Sequence, residues 1–316
     1  MQLAKTAIKL IHAYTLHIAP INRLPAELIA RIFHLVRDGN DHSMDRAGFI
    51  CSRWRTIALQ DSSLWTWIDI YPSFRKPYPS LSRAKAHSLR SDEMPLEVYV
   101  WGALDPERLE EKFIDTPMRS LCQLAAPRMS YLGISGDFRP RMGQGSICSV
   151  ISILLSHCSP GVLNSIVTSS RFGGFFASFG DGDEEASFGA QAITRLEMTN
   201  LELEASFARV TVLNLTGVFP SWANQAYYGL VELRLTSHAS TGLLITERQL
   251  ISILKSSSGL RITQLCFWIT DLVEETNAFV SLPNLEVLQV DAEAAWGIEL
   301  VRFLQSGLST SLQHGM

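Results

Sequence analysis

The fold is decided by residues 22–70, which read NRLPAELIARIFHLVRDGNDHSMDRAGFICSRWRTIALQDSSLWTWIDI. Pro25 fits the first turn of a helix, where an N–H group would have no partner, and Glu27 suits the positive end of the helix dipole. The apolar residues that follow recur at helical spacing and form one broad stripe: Leu28, Ile29, Ile32, Phe33, Leu35 and Val36. The segment therefore predicts an amphipathic helix that starts at Pro25.

A second helical run covers residues 44–60 and follows turn-forming residues at 38–40. Gly48 lies in the middle of this run, which favours two short helices over a single one. A further turn leads into residues 67–70, whose tryptophan and isoleucine side chains are typical of a strand. We therefore expect a three-helix bundle that is followed by a hydrophobic strand.

A bundle of about forty residues with so broad an apolar surface is below the size that usually stabilises itself. The segment carries six basic and six acidic residues, so its net charge is zero. Because net charge cannot attract a partner here, we expect apolar packing to hold whatever binds this surface.

Residues 22–70 resemble the F-box family, in the form that is common in fungal F-box proteins. The residues that match its motifs are Leu24-Pro25-x-Glu27-Leu28, Ile32-Phe33-x-x-Val36, Ile50-Cys51-Ser52-Arg53-Trp54-Arg55-x-Ile57-Ala58 and Ser63-Leu64-Trp65. The resemblance implies that the helices dock onto the Skp-type adaptor of a cullin-RING ubiquitin ligase, while the rest of the chain binds the substrate.

Carried over residue by residue, the resemblance assigns adaptor contact to Leu24, Pro25, Leu28, Ile32, Leu35, Cys51 and Trp54. The first three are expected to supply most of the contact, whereas Ile29, Phe33 and Ile57 are expected to lie in the internal core. An alternative interpretation is that all these positions form the core of an N-terminal helical cap on a repeat domain.

Beyond residue 71, the pattern apolar-x-x-apolar-x-apolar recurs in short strand-like segments. These segments are 129–134, 193–198, 210–215, 230–235, 262–267 and 285–290, with a weaker copy at 163–168. Their average separation is about 26 residues, which falls in the range of leucine-rich repeats. Helical runs are predicted between and after them, at 146–157, 247–257, 274–281 and 296–305.

This part of the chain resembles irregular leucine-rich repeats, although no ladder of asparagines marks its turns. The resemblance implies a distorted horseshoe with parallel strands on the concave side and helices outside, so the fold class is α/β (α+β). The concave candidates for substrate binding are Glu197, Asn214, Arg234 and Gln289, with Cys266 at the same offset in its repeat. An unrelated α/β fold with parallel strands is the alternative interpretation.

The expected domain organisation has four parts. They are an N-terminal helical extension at 1–21, the F-box at 22–70, a linker with a first helix at 71–95, and the repeat domain at 96–316. A Gly- and Phe-rich insertion at about 171–191 interrupts the repeats. This insertion is either a flexible loop or, through its phenylalanines, a contact to substrate.

Composition excludes several classes of protein. Of the 316 residues, 47% are hydrophobic and 18% are charged, which excludes a disordered chain. The net charge of −4 offers no global basic field to nucleic acid, and no apolar run approaches the roughly 20 residues that span a bilayer. The five cysteines form no C-x-x-C pair, so we expect reduced thiols, no metal site and a cytoplasmic or nuclear location.

No catalytic motif is complete in this sequence. Ser135 and Ser146 do not lie in G-x-S-x-G, no H-E-x-x-H occurs, and His157 beside Cys158 is adjacency in sequence alone. The sequence therefore predicts a non-catalytic, cofactor-free substrate-recognition subunit of an SCF-type ligase. The alternatives are an F-box scaffold that joins no ligase and, less favoured, an α/β hydrolase.

Overall fold

The computed structural model describes residues 20–39, 51–71, 78–102, 116–136, 145–176, 200–237, 244–271, 280–290 and 304–306. The chain divides into two compact units. The helical unit comprises residues 1–67 and 87–94, and the sheet unit comprises residues 68–86 and 95–316. Nearly all of the predicted N-terminal extension lies outside the described residues.

The helical unit is built from short helices that match the predicted bundle. A 3-10 helix at Pro20–Arg23 precedes helix α1 at Ala26–Gly39, and helix α2 covers Ser52–Gln60. A second 3-10 helix follows at Ser62–Trp65. Helix α1 thus begins one residue after the predicted start at Pro25, and the first part of the predicted second run lies outside the described residues.

The sheet unit alternates strands with helices, and strand β1 and helix α3 contribute residues to both units. The strands are β1 Trp67–Ile70, β2 Leu96–Trp101, β3 Met129–Ser135, β4 Ser165–Phe176, β5 Val212–Pro220, β6 Glu232–Thr236, β7 Leu244–Thr246, β8 Ile262–Cys266, β9 Trp268–Thr270, β10 Val280–Leu282, β11 Val287–Val290 and β12 Leu304–Ser306. The helices are α3 Tyr78–Arg90, α4 Thr116–Ala125, α5 Gly145–Ser156, α6 Asn200–Phe207 and α7 Glu247–Ser256.

Eight of these strands form one sheet in the order β1-β2-β3-β4-β5-β6-β8-β11. Every pairing from β2 to β11 is parallel. Within the described part of the chain, the strand order follows the chain without reversal, unlike a doubly wound sheet with its switch point. The predicted α/β class with parallel strands is therefore confirmed. Two smaller parallel pairs, β7 with β9 and β10 with β12, lie outside this sheet.

A backbone ladder joins the residues that enter successive strands. The carbonyl of Ser130 accepts from the N–H of Asn164, whose own carbonyl accepts from Thr211, at 2.8 and 2.9 Å. The same bond continues from Thr211 to Val231, from Val231 to Arg261 and from Arg261 to Glu286, each at 2.8 Å. The main-chain groups at the start of each of these strands are thus paired with the backbone of the neighbouring segment.

One face of the sheet is buried by the helices. Alternate strand residues such as Leu132, Ile166, Leu213 and Leu233 are fully buried in one core with apolar residues of α4, α5, α6 and α7. The opposite face carries the intervening residues, most of them only half-buried. We call this opposite side of strands β2 to β11 the open face.

Three segments depart from the sequence predictions. Residues 280–282 and 304–306, which fall on or next to the predicted helical runs 274–281 and 296–305, are strands β10 and β12. The predictions are therefore wrong at residues 280–281 and 304–305, because short apolar runs do not distinguish helix from strand, and the other residues of the two runs lie outside the described residues. Residues 171–176 of the predicted insertion continue strand β4, whereas 177–191 and the predicted strand 193–198 lie outside the described residues.

Candidate functional site

The most prominent surface of the helical unit is an apolar stripe along α1. We define it as Pro25, Leu28, Ile32 and Leu35, which recur at helical spacing on one side of the helix. Leu28 is 50% exposed and Leu35 is 60% exposed, while Ile32 is half-buried. Leu24 precedes the stripe and is half-buried against the core. Two exposed leucines on one side of a helix make this stripe a candidate contact surface.

The other side of α1 anchors the helix to a small core. Ile29 and Phe33 are fully buried, and the Phe33 ring meets Trp54 of α2 edge-on at a centroid distance of 5.3 Å. Ala58, Leu64 and Trp65 complete this core, and the Trp65 indole N–H donates to the Ala58 carbonyl at 2.7 Å. The burial predicted for Ile29 and Phe33 is confirmed, and Ile57 packs against the core only in part.

Polar contacts fix the position of α1 as well. The Arg53 guanidinium donates to the Leu24 carbonyl at 2.6 Å, and Arg37 donates to the Ser63 carbonyl at 2.7 Å. Both arginines donate to backbone carbonyls outside helix α1, and the Ser63 carbonyl also accepts the Thr66 hydroxyl at 3.2 Å. These two hydrogen bonds thus hold both ends of α1 to segments that are distant in sequence.

A histidine–carboxylate pair forms the third polar tie. His34 Nε2 lies 3.0 Å from Asp61 Oδ2, and the Ser63 hydroxyl donates to Asp61 Oδ1 at 2.5 Å. Burial opposes the charge on Asp61, but hydrogen bonds from Ser63 and His34 and the charge of His34 together lower its pKa below the ordinary value. Asp61 also accepts the Ser63 N–H and so caps the 3-10 helix Ser62–Trp65.

Two residues from the end of α3 pack against Trp65 within the helical unit. The His87 ring meets the Trp65 ring edge-on at 5.1 Å, and His87 Nδ1 lies 3.1 Å from the Trp67 carbonyl oxygen. The Arg90 guanidinium carbon lies 4.6 Å from the Trp65 ring centroid, which is a cation–π distance. These contacts add a third segment to the support of the bundle.

The seven residues predicted for adaptor contact divide into exposed and interior positions. Pro25, Leu28 and Leu35 are exposed, whereas Leu24, Ile32 and Cys51 are half-buried. Trp54 requires a correction: it is only 7% exposed, because the ring is packed against Phe33, so it shapes the bundle from inside. The sequence interpretation missed the ties through His34, Asp61 and Arg37, since pairs 26 or 27 residues apart leave no periodic signal.

The open face brings together the residues predicted for substrate contact. Asn214 pairs in register with Arg234, Arg234 with Gln264, and Gln264 with Gln289. The Arg234 Nε donates to Glu232 Oε1 at 2.6 Å, which balances its charge. The sequence pattern selected Cys266 in β8, but the residue in register with Arg234 is Gln264, two positions earlier. The pattern failed here because Thr263 occupies the buried position that leucine occupies in neighbouring strands. Glu197 lies outside the described residues.

Aromatic side chains occupy the β1–β3 end of the open face. Tyr99 and Trp101 of β2 lie with their rings nearly parallel at 6.3 Å, and Tyr71 and Trp101 do so at 6.2 Å. Tyr131 of β3 lies 5.0 Å from Tyr99. We call Tyr71, Tyr99, Trp101 and Tyr131 the aromatic cluster. Burial, followed by the proximity of Tyr131 and Glu97, raises the pKa of Tyr99 far above its ordinary value, so its hydroxyl stays protonated.

The structure describes the surroundings of His157 and Cys158, two of the residues that the sequence analysis considered for catalysis. Burial raises the pKa of the Cys158 thiol to about 11, and His157 Nδ1 lies near the Ile153 carbonyl and Ser156 hydroxyl oxygens. In the His34–Asp61–Ser63 group, His34 Nε2 lies 3.0 Å from Asp61 Oδ2 and 3.4 Å from the Ser63 hydroxyl oxygen, and Asp61 caps the 3-10 helix Ser62–Trp65. Among the described residues, no group of three or more His, Cys, Asp or Glu side chains is placed to hold a metal ion.

These features define a class of protein: a small helical bundle that exposes an apolar stripe, followed in the chain by a parallel sheet whose strands and helices alternate. Residues 21–71 match the family model of F-box-like domains, so the chain contains an F-box-like domain. Comparison with curated proteins and with solved structures found no match. In the part of the chain that the structure describes, no helix is long and apolar enough to cross a membrane.

Proposed function

We propose that this F-box protein is the substrate-recognition subunit of an SCF-type cullin-RING ubiquitin ligase. The F-box-like domain binds a Skp-type adaptor, and the sheet unit, as a leucine-rich-repeat-like domain, binds the protein to be ubiquitinated. The chain itself catalyses nothing in this proposal; it raises the effective concentration of an acceptor lysine near the activated ubiquitin.

The observation that carries the proposal is the apolar stripe. Leu28 and Leu35 remain exposed although the opposite side of α1 is packed into a core, so the helix has a second apolar side with no cover among the described residues. Burying the exposed half of each leucine against an adaptor would contribute about 1–2 kcal/mol for each side chain. The match to F-box-like domains supports the same partner.

The sheet unit supports the receptor role through its open face. Its sequential parallel strands and inter-strand backbone ladder support a repeat-like domain, and the exposed sheet faces of repeat proteins form extended binding surfaces. The open face is chemically mixed, with aromatic, amide and charged groups, as expected of a surface that recognises a protein.

Affinity purification with proteasome activity blocked tests this proposal. Wild-type chain is compared with a Leu28→Asp/Leu35→Asp variant and with Leu89→Asp, because Leu89 is 62% exposed on α3 and lies outside the stripe. We expect the adaptor, the cullin and ubiquitinated proteins to co-purify with wild type and with Leu89→Asp.

The stripe variant should lose the adaptor and cullin yet keep the bound substrate. Adaptor without cullin in the wild-type sample would favour the scaffold alternative. Full retention of the adaptor by the stripe variant would contradict the docking assignment.

A further inference from the structure

The aromatic cluster differs in chemistry from the rest of the open face, and its rings contact one another. Its rings come from the segment after β1 and from strands β2 and β3, which are neighbours in the sheet. Polar residues take over at the opposite end, where Asn214, Arg234 and Gln264 share one register row. The cluster is therefore a local feature of strands β2 and β3 and not a general property of the sheet.

Gly133 makes room for the cluster. It pairs with Tyr99 in the sheet, and a Cβ atom at Gly133 would lie 2.6 Å from Tyr99 Cδ1 and 3.1 Å from a ring carbon of Tyr131. The two tyrosine rings thus lie across the strand at a position that only glycine leaves open. The half-buried rings cover this glycine and present the remainder of their surface to solvent.

A carboxylate lies at the cluster. Glu97 is two residues before Tyr99 on the same face of β2, and the Tyr99 hydroxyl donates to Glu97 Oε2 at 3.3 Å. No basic side chain among the described residues forms an ion pair with Glu97. The nearby Asp69 differs, because it accepts from the Trp101 indole N–H at 2.8 Å and pairs with Arg83 at 3.1 Å.

This combination selects one ligand chemistry. Aromatic ring faces carry negative potential and attract cations, and the attraction strengthens where water is partly excluded. Glu97 adds a full negative charge beside the rings, while the charges of Asp69 and Arg234 are already balanced by their own partners. Residues 71–316 also carry 19 basic and 25 acidic residues, so the background field favours a basic partner.

We propose that the aromatic cluster and Glu97 form a recognition site for an arginine or lysine side chain in a basic segment of the protein substrate. This inference rests on the proposed receptor function, whose substrate class it names. The cation would lie against the faces of Tyr99, Trp101 or Tyr131 and pair with the Glu97 carboxylate.

The test measures peptide binding to the full chain by fluorescence anisotropy. The probes are a fluorescein-labelled nonapeptide with three central arginines in a glycine–serine background and the same peptide with glutamines in place of the arginines. Wild type should bind the arginine peptide about tenfold more tightly than the glutamine peptide, which corresponds to one cation–π contact with a charge pair.

Two variants and two matched controls make the test specific. Glu97→Gln keeps the shape of the side chain and should weaken arginine-peptide binding about fivefold, as should Tyr99→Leu. Tyr228→Leu and Glu93→Gln should bind like wild type, because Tyr228 and Glu93 are exposed and lie outside the cluster. Circular dichroism checks that each variant is folded. If Tyr99→Leu does not fold, Glu97→Gln alone still tests the inference.

Equal binding of the two peptides to wild type would overturn the inference, as would unchanged arginine-peptide binding in Glu97→Gln. Co-purification of the Skp-type adaptor is a separate readout that does not involve the open face. Loss of peptide selectivity with adaptor binding intact removes only this inference. Peptide selectivity without adaptor binding keeps the cation site and removes the ligase assignment.

Discussion

The helical unit and the sheet unit leave different chemistry uncovered. The described part of the helical unit has six buried core residues and exposes leucines along α1. The sheet unit buries most of one face of its parallel sheet and leaves amides, charged pairs and aromatic rings half-buried on the other. An apolar stripe fits one constant, closely packed partner, whereas a mixed face fits a partner that is selected by its chemistry.

The two units also differ in how many contacts support each core residue. In a six-residue core, the loss of one large side chain removes a large share of the packing. The sheet core continues from strand to strand, so the loss of one side chain removes a small share. The predictions below test this difference, beginning with the largest expected effect.

Phe33→Ala should destabilise the helical unit by about 3–5 kcal/mol, because it removes a fully buried ring and its contact with Trp54. Hydrogen exchange of α1 amides in the full chain measures the effect. Val36→Ala on the same helix is the control and should cost less than about 1 kcal/mol, since Val36 is an exposed residue. Equal losses in the two variants would contradict the described core.

Gly133→Ala should destabilise the sheet unit by about 1–3 kcal/mol, since the new methyl group overlaps the Tyr99 ring. Urea unfolding followed by near-ultraviolet circular dichroism reports both the stability and the tyrosine environment. Gly259→Ala is the matched control, because its Cβ would meet only the Leu230 carbonyl oxygen at 3.8 Å. A neutral Gly133→Ala would show that the rings do not lie over this strand.

Thr246→Ala should cost about 1 kcal/mol by removing a capping box at the start of α7. Thr246 Oγ1 accepts the Gln249 N–H at 3.2 Å, and Gln249 Oε1 accepts the Thr246 N–H at 3.0 Å. Thr246→Ser keeps the hydroxyl and should be close to wild type in urea unfolding. If serine and alanine are equally harmful, the cap is not the cause.

Asp61→Asn should flatten the acid dependence of the helical unit, which is the smallest of these effects. The pKa of Asp61 is lowered in the folded chain, so its stabilisation is present above about pH 3.8 and is lost as the pH falls through the folded value. Asparagine retains an oxygen that can cap Ser63 but has no charge to lose. Acid titration of α1 hydrogen exchange should therefore show less loss below pH 3.8 in the variant than in wild type.

The periodic parts of this fold could be predicted from the sequence. The alternation of Leu213 and Leu215 with polar residues indicates a strand with one buried side, and the spacing of Ile29 and Phe33 indicates the buried side of a helix. The start of α1 after Pro25 and the strand at residues 67–70 follow from local chemistry in the same way.

The remaining features depend on tertiary contacts. Trp54 and Ala58 recur at helical spacing, which could have indicated that Trp54 is interior, but the motif alone placed it at the partner surface. The pair of His34 with Asp61 joins residues that no local rule connects. Gln264 could be identified only from the strand register, because the buried residue before it is Thr263 and not an apolar residue, so the apolar pattern is broken there.

The central claim is that the uncovered stripe on α1 is the surface that binds a Skp-type adaptor. Isothermal titration of a purified adaptor into the wild-type chain, Leu28→Asp/Leu35→Asp and Leu89→Asp tests it directly. We predict that the stripe variant weakens binding at least about a hundredfold, by burying two charges in an apolar contact, and that Leu89→Asp binds like wild type. Equal affinities for all three proteins would contradict the account.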